Sequence, residues 1–250
     1  MENNNLKKVY DTIAEKYYLS RNKHRNDWIH VLNDIQKYWK NEISILEFWC
    51  WWWRCIKYLN ENLKWIKINY IWIDISNELL KYAKKDNPNN NFICDDICNY
   101  IQKVPQETFD FIIWIASFQH IEQENKRLNL MKKFYKSLKY WWKIIMTNWS
   151  FSNRFSKKYK KEIFKSILKT IYTFWYHKRN DLEIPRNFNW KILYRFYHIY
   201  NKKELNILCK ESGFMINKIS YLDKDWKEIS NQKISNNTIL IWEKNLQSVQ

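Results

Sequence analysis

Three carboxylates, Glu47, Asp74 and Asp96, each close or follow a short apolar run in the first hundred residues. A carboxylate at the end of a buried strand is well placed to accept both hydroxyls of a ribose. An Asp that merely caps the next helix explains any one of them. Glu47 lies in Ile45-Leu46-Glu47-Phe48-Trp49-Cys50-Trp51-Trp52-Trp53-Arg54, where four indoles occupy what should be a tight turn. With glycine at each tryptophan, the stretch reads as a strand, a glycine-rich turn and the start of a helix. That arrangement lets bare backbone approach a nucleotide-like cofactor, and three acids gathered around it are harder to dismiss as caps.

The composition bears on that substitution. The chain of 250 residues has one glycine and sixteen tryptophans. Average usage of about 7% would give roughly 17 glycines, the number the two types make together. A compact fold needs glycine wherever φ must be positive. Trp72, Trp114 and the pair Trp141-Trp142 stand where small residues are expected, the pair between a helix pattern and a strand pattern. The abundance of Lys, Asn, Ile, Tyr and Phe suggests an AT-rich genome, and some bacterial lineages with such genomes read UGA as glycine where other codes read tryptophan. Many of these tryptophans are therefore expected to stand for glycine. Trp28, Trp149 and Trp226 sit in contexts that suit a tryptophan and are left out of that set.

The elements that position the acids alternate between two periods. Leu6 to Leu19 and a stretch from Asp27 have helical spacing, then Ile43 to Phe48 reads as a strand. Strand patterns recur at 68–75, 91–94, 109–115 and 143–147, with helical patterns at 77–85 and 122–138 between them. The alternation predicts a parallel sheet with ligands beyond the carboxyl ends of its strands. Beyond residue 150, Phe155 to Phe174 reads as one basic amphipathic helix with Tyr159, Ile163, Phe164, Ile167, Leu168 and Ile171 on its apolar, buried side, and Asp181 to Asn189, with Pro185, as a loop. Lys203 to Ser212 reads as a helix ended by Gly213, and 215–222 with 238–243 as a closing hairpin. One domain is expected: N-terminal helices over 1–40, a cofactor-binding core over 41–149, a basic lid or substrate insertion over 150–200, and a C-terminal helix and hairpin over 201–250.

The formal charge of +17 favours a polyanionic partner, although AT-rich coding also inflates lysine. The five cysteines lack paired spacing, so neither a disulfide framework nor a metal site is indicated. A polar amino terminus and the lack of a run of about 18 apolar residues predict no membrane segment and a cytoplasmic location.

Read with glycines, Leu46–Arg54, Tyr70–Ser76, Cys94–Ile97, Phe109–Ile121 and Leu138–Thr147 resemble, in order and spacing, the successive motifs of class I S-adenosylmethionine-dependent methyltransferases. The resemblance covers about residues 40–150. It implies a Rossmann-like α/β fold with a seven-stranded, mostly parallel sheet, helices on both faces and a closing antiparallel hairpin. It also implies S-adenosylmethionine as cofactor, over Glu47, Trp49, Cys50, Trp51 and Trp53, with Asp74 and Ile75 at the ribose, and Asp95, Asp96 and Ile97 at the adenine. Ala116 and Ser117 would line its floor near His120.

A narrower resemblance, to the tRNA wobble-uridine carboxymethyl-ester methyltransferases, rests on three segments: Val9-Tyr10-Asp11-Thr12-Ile13-Ala14 with Ser20-Arg21, Thr147-Asn148-Trp149, and Tyr194-Arg195-Phe196-Tyr197-His198-Ile199-Tyr200. It implies methylation of a carboxylate on the C5 substituent of a uridine. Such a substrate is already a nucleophile and needs positioning and charge screening, not a general base. Arg195 would clamp the carboxylate, Tyr197 and His198 would shape the pocket, and Tyr10 and Arg21 would stand at the cofactor entrance. His198 also suits a packing role, and Arg195 a phosphate. Arg154, Lys157, Lys158, Lys161 and Lys165 form a basic face for tRNA or a solvated helix face. A methyltransferase acting on a small quinone-like or other metabolite fits the same core, and a non-catalytic nucleic-acid-binding protein fits if the tryptophans are real.

Overall fold

The computed structural model describes residues 3–20, 29–38, 40–49, 54–173 and 178–245. The core is a sheet in the order β3-β2-β1-β4-β5-β10-β8-β9. Its strands are β1 (Glu42–Phe48), β2 (Lys67–Asp74), β3 (Asn91–Cys94), β4 (Phe109–Ile115), β5 (Leu138–Trp149), β8 (Met215–Leu222), β9 (Glu228–Ile229) and β10 (Asn237–Glu243). β1 pairs in parallel with β2 and β4, and β10 lies antiparallel between β5 and β8. This is the expected Rossmann-like fold, with eight strands in place of the expected seven. The eighth is the two-residue β9, which pairs with Tyr221 and Leu222.

Apolar runs become central strands because both faces are covered. All seven residues of β4 are buried. From one face α6 (Glu124–Ser137) sends Phe134 onto Phe48 in a stack at 5.0 Å and onto Trp114 edge-on at 5.4 Å. The chain runs β1, β2, β3 toward one edge and then starts the other half at β4, beside β1, so the crevice between β1 and β4 is the point where strand order reverses.

The parallel strands end in step. The Trp49 N–H bonds to the Ile73 carbonyl at 2.7 Å, Asp95 N–H to the Asp74 carbonyl at 3.2 Å, and Ala116 N–H to the Thr147 carbonyl at 2.8 Å. Helix α4 (Asn77–Asp86) starts at the Ser76 cap, and Asp11 of α1 (Asn3–Ser20) accepts the Ser76 hydroxyl at 2.6 Å, drawing α1 over this edge.

Several sequence expectations are corrected. The pair Trp141-Trp142 lies inside β5 and not in a turn ahead of it, at an irregularity in the β4–β5 register, and Trp141 has φ 70°. The 181–189 loop is a strand, β6 (Asp181–Phe188), antiparallel to β7 (Lys191–His198) in a separate two-stranded sheet. Pro185 is tolerated there because a two-stranded ribbon leaves each strand an open edge. The basic helix is broken at Tyr159 into α7 (Asn153–Lys158) and α8 (Lys160–Tyr172). α8 docks through its small polar stripe: Ser166 and Thr170 are buried, and the Ser166 hydroxyl reaches the carbonyl of Asp181 at 2.8 Å. Phe164, Ile167, Leu168 and Ile171, expected on the buried side, are exposed. α9 (Lys202–Glu211) ends ahead of Gly213, which has φ 90°, as expected of a helix-terminating glycine.

Candidate active site

The alternation of β7 divides its side chains between two surroundings. Arg195 and Tyr197 are buried on one side, facing α1 and the 3₁₀ turn Phe118–His120, on which β7 packs. The Arg195 guanidinium lies 5.2 Å from the Tyr197 ring, and its charge acts on the buried Tyr10. Tyr197 is stacked on Trp149 at 4.6 Å and meets the His120 ring edge-on at 4.3 Å. Tyr10 packs edge-on against Tyr17 at 6.0 Å. These groups make an aromatic cage at Arg195, with the Arg186 guanidinium 5.3 Å from the Tyr17 ring at its border.

Two donors in this cage have no partner among the described residues: the Nε–H of Arg195 and the hydroxyl of Tyr197. No carboxylate pairs with Arg195 among the described residues. A buried charge without a counter-ion costs several kcal/mol, on the order of what is lost when one partner of a buried pair is removed. Two unpaired donors two residues apart on one strand face suit an anionic ligand with several acceptor oxygens.

His120 is neutral. Burial, then the adjacent Arg195 charge, push its pKa down to about 3, against the opposing hydrogen bond to the Phe196 carbonyl. Burial also raises the pKa of Tyr10.

His198 lies apart from this group, on the other side of β7. Its Nδ1 is 2.5 Å from Asp181 and its Nε2 2.6 Å from Glu204 of α9. Burial works against its charge, but the hydrogen bonds to the two carboxylates win and hold its pKa above the ordinary value. It is thereby a tie between β6, β7 and α9. It borders an open cleft of about 1440 Å³, which Arg127, Lys178, Arg179 and Glu124 also line.

At the strand ends, Glu47 is buried and accepts from Tyr70 at 2.7 Å and from the Trp72 indole. Asp74 is buried and accepts from Ser76 N–H at 2.8 Å. Asp95 and Asp96 are half-buried; Asp96 caps the short helix α5 (Ile97–Tyr100), and Ile75 and Ile97 are buried. Ala116 has φ 52°. Trp49 has φ 53° and its buried ring is 5.2 Å from His120, which joins the strand-end group to the aromatic cage. Arg21, Cys50, Trp51 and Trp53 lie outside the described residues.

Residues 45–140 match the family model described as a methyltransferase domain. The chain is 25% identical over 194 residues to the tRNA (carboxymethyluridine(34)-5-O)-methyltransferase of Schizosaccharomyces pombe, covering 66% of this chain and 82% of that protein. The protein is an enzyme with a methyltransferase domain. Its fold is similar to that of S-adenosylmethionine-dependent methyltransferases from Methanosarcina mazei, with TM-score 0.63, 16% identity and coverage of 85% and 97%, and from Clostridium acetobutylicum, with 0.59, 14%, 97% and 98%.

The acids of this methyltransferase suit its cofactor: Asp74, Asp95 and Asp96 stand together where the strands of the matched domain end. Trp49 suits it less, because an indole stands where backbone without a side chain would leave room. Reading the sequence alone missed two members of the cage, Trp149 and Tyr17. The signal for Trp149 was its place directly after Thr147 and Asn148 at the end of β5, where the Thr147 carbonyl accepts from Ala116 on the neighbouring strand. Tyr17 lies seven residues from Tyr10 on α1, two helical turns along the same face.

Proposed function

We propose that the enzyme transfers the methyl group of S-adenosylmethionine to a carboxylate on the C5 substituent of a wobble uridine in tRNA. The observation that carries this is the buried Arg195 with its Nε–H and the neighbouring Tyr197 hydroxyl both unpartnered. A carboxylate supplies acceptors for both and the missing negative charge. The S. pombe relative, whose name specifies a carboxymethyluridine substrate, supports the same assignment.

Asp74 would hold the cofactor's ribose, Asp95 and Asp96 its adenine side, and the turn after Phe48 its methionine portion. When bound, the cofactor supplies an electrophilic methyl group on a cationic sulfur. The substrate carboxylate is anionic and the ester product neutral, so the reaction needs no base and ends with charge lost on both partners. Arg195 therefore positions and selects the carboxylate, and it holds the ester far less tightly. The cytoplasm is the expected place for such a substrate. Exposed Arg154, Lys157, Lys158, Lys161 and Lys165 on α7 and α8 would meet the phosphates of tRNA.

The same reading takes Trp49, Trp51, Trp53, Trp72, Trp114, Trp141 and Trp142, together with Trp190 and Trp226, as glycine in the natural chain. Trp49, Trp141, Trp190 and Trp226 have φ of 53°, 70°, 63° and 65°, a region that costs an L-residue about 1–2 kcal/mol. Trp190 follows Asn189 in the two-residue β6–β7 turn, where both residues have positive φ and Asn-Gly is the favoured pair. Trp114 buries an indole N–H with no acceptor among the described residues. Trp226, set aside on its sequence context, joins the group through its backbone. The test is to read the codons and weigh the natural protein, then assay the glycine form for methyl transfer to tRNA with and without the uridine carboxylate. Transfer only to the modified tRNA is expected; transfer to a metabolite instead overturns the assignment.

A further inference from the structure

Helix α8 is docked with its polar side inward. Ser166 and Thr170 are buried, and the Ser166 hydroxyl reaches the carbonyls of Arg179 and Asp181 at 3.1 and 2.8 Å. The opposite side carries Phe164, Ile167, Leu168, Ile171 and Tyr172, all exposed, Phe164 at 61% and Tyr172 at 84%. Spacings of three and four place them on one stripe of the helix. An apolar stripe turned to water forgoes the burial that ordinarily holds an amphipathic helix to its protein, and on a folded surface it marks a contact with something else. The stripe contains no tryptophan, so it is unchanged in the glycine form.

The border of the stripe sets the chemistry of the partner. Exposed Lys161, Lys165 and Lys169 recur at every fourth residue, and so do Phe164, Leu168 and Tyr172. Four residues rise about 6 Å along a helix, so a row of cations and a row of apolar side chains run side by side in step. α8 has one acidic residue, Glu162, against four lysines. A single nucleic-acid strand has the matching arrangement, with phosphates at a similar interval along one edge and flat apolar bases along the other. A bilayer surface calls for cations along both borders of the stripe. Here the second border runs to Ile163, which packs against the cluster of Phe155, Tyr159 and Tyr197.

We infer that the exposed side of α8 is a platform for single-stranded RNA, with unstacked bases on Phe164, Leu168 and Tyr172 and phosphates of the same strand on Lys161, Lys165 and Lys169. This rests on the proposed tRNA substrate for the identity of the strand, the loop that flanks the wobble uridine. α8 packs on β6, which pairs with β7, so the platform and the Arg195 cage share one ribbon. Holding the flanking bases out of their stack leaves the target base free to enter the cage.

The test uses the full chain with an unmodified anticodon stem-loop RNA, a fully paired RNA duplex of equal length, and phosphatidylserine-containing vesicles. Both rings are exposed, so replacing them gives up little internal packing. Phe164→Ser and Tyr172→Ser should each weaken stem-loop binding about five- to tenfold, the lower end of the worth of one stacked base, with the salt dependence unchanged. Phe164→Leu and Tyr172→Leu should lose as much, because leucine keeps an apolar side chain without the ring. Phe164→Tyr and Tyr172→Phe should stay within about threefold of the parent, since each keeps a π-face. The duplex should bind more weakly than the stem-loop and respond to neither ring. Full stem-loop affinity in the serine variants overturns the inference. So does full affinity in the leucine variants, which assigns the stripe to a protein groove, or loss of vesicle binding alone, which assigns it to a lipid surface. If the serine variants lose the stem-loop while the parent transfers no methyl to carboxylate-bearing tRNA, the substrate assignment fails and the platform stands.

Discussion

Arg195 and His198, three residues apart on β7, stand on opposite sides of the strand with opposite electrostatic circumstances. Arg195 is a buried cation among tyrosines with an unpartnered Nε–H, and His198 is a buried imidazole between two carboxylates. An odd separation on a strand forces that division. It places the cage at Arg195 on one side of β7 and the tie to β6 and α9 on the other.

Replacing Arg195 with Ala is expected to raise KM for the carboxylate substrate by about 10- to 100-fold, corresponding to a charge-assisted hydrogen bond of about 1.5–3 kcal/mol. Turnover at saturation should fall far less, because the methyl transfer consumes the substrate charge that Arg195 binds. Steady-state kinetics and cofactor affinity measured side by side check this; cofactor affinity should be retained.

The His198 tie predicts a pH dependence of stability. Its folded pKa is raised above the unfolded value, so its contribution is fully present below about pH 6.5 and is lost as pH rises through the folded pKa. The advantage in melting temperature of the parent over His198→Gln should therefore shrink as pH is raised from 6 to 9. An advantage that grows over that range would contradict the charged clamp.

Trp190→Gly isolates the backbone effect, because the Trp190 indole is fully exposed and gives up no packing. Relieving a left-handed conformation, less the extra freedom of glycine in the unfolded chain, should stabilise the protein by about 1 kcal/mol. That corresponds to a rise in Tm of about 2–4 °C for a chain of this size, readable by calorimetry.

If the α7–α8 lysines meet phosphates, changing Lys157, Lys158, Lys161 and Lys165 together to Ala should flatten the dependence of tRNA affinity on salt. The slope of log K against log salt should lessen by about 3, at 0.7–0.9 for each contact. An unchanged slope would assign these lysines to a solvated helix face.

The β1-to-β5 half of the fold was legible because buried parallel strands give continuous apolar runs and their connecting helices a different period. Asp74 and the acids after β3 were legible for the same reason: a strand end is easy to locate. β6 was not, because Pro185 reads as a breaker and only the open edge of a two-stranded ribbon makes it harmless. The orientation of α8 was hidden too, since apolar spacing points to Phe164 and Leu168, while the contact is made by Ser166 bonding to a carbonyl. The cage around Arg195 draws on α1, β5 and β7, and no local pattern in the sequence brings such distant segments together.

The central claim is tested most directly by supplying S-adenosylmethionine with a labelled methyl group to the glycine form of the enzyme and digesting the tRNA product to nucleosides. With tRNA bearing the wobble-uridine carboxylate, the label is predicted in a uridine methyl ester that mild alkali releases as methanol. Label in an alkali-stable methylated nucleoside, or equal labelling of tRNA lacking the carboxylate, would contradict the account.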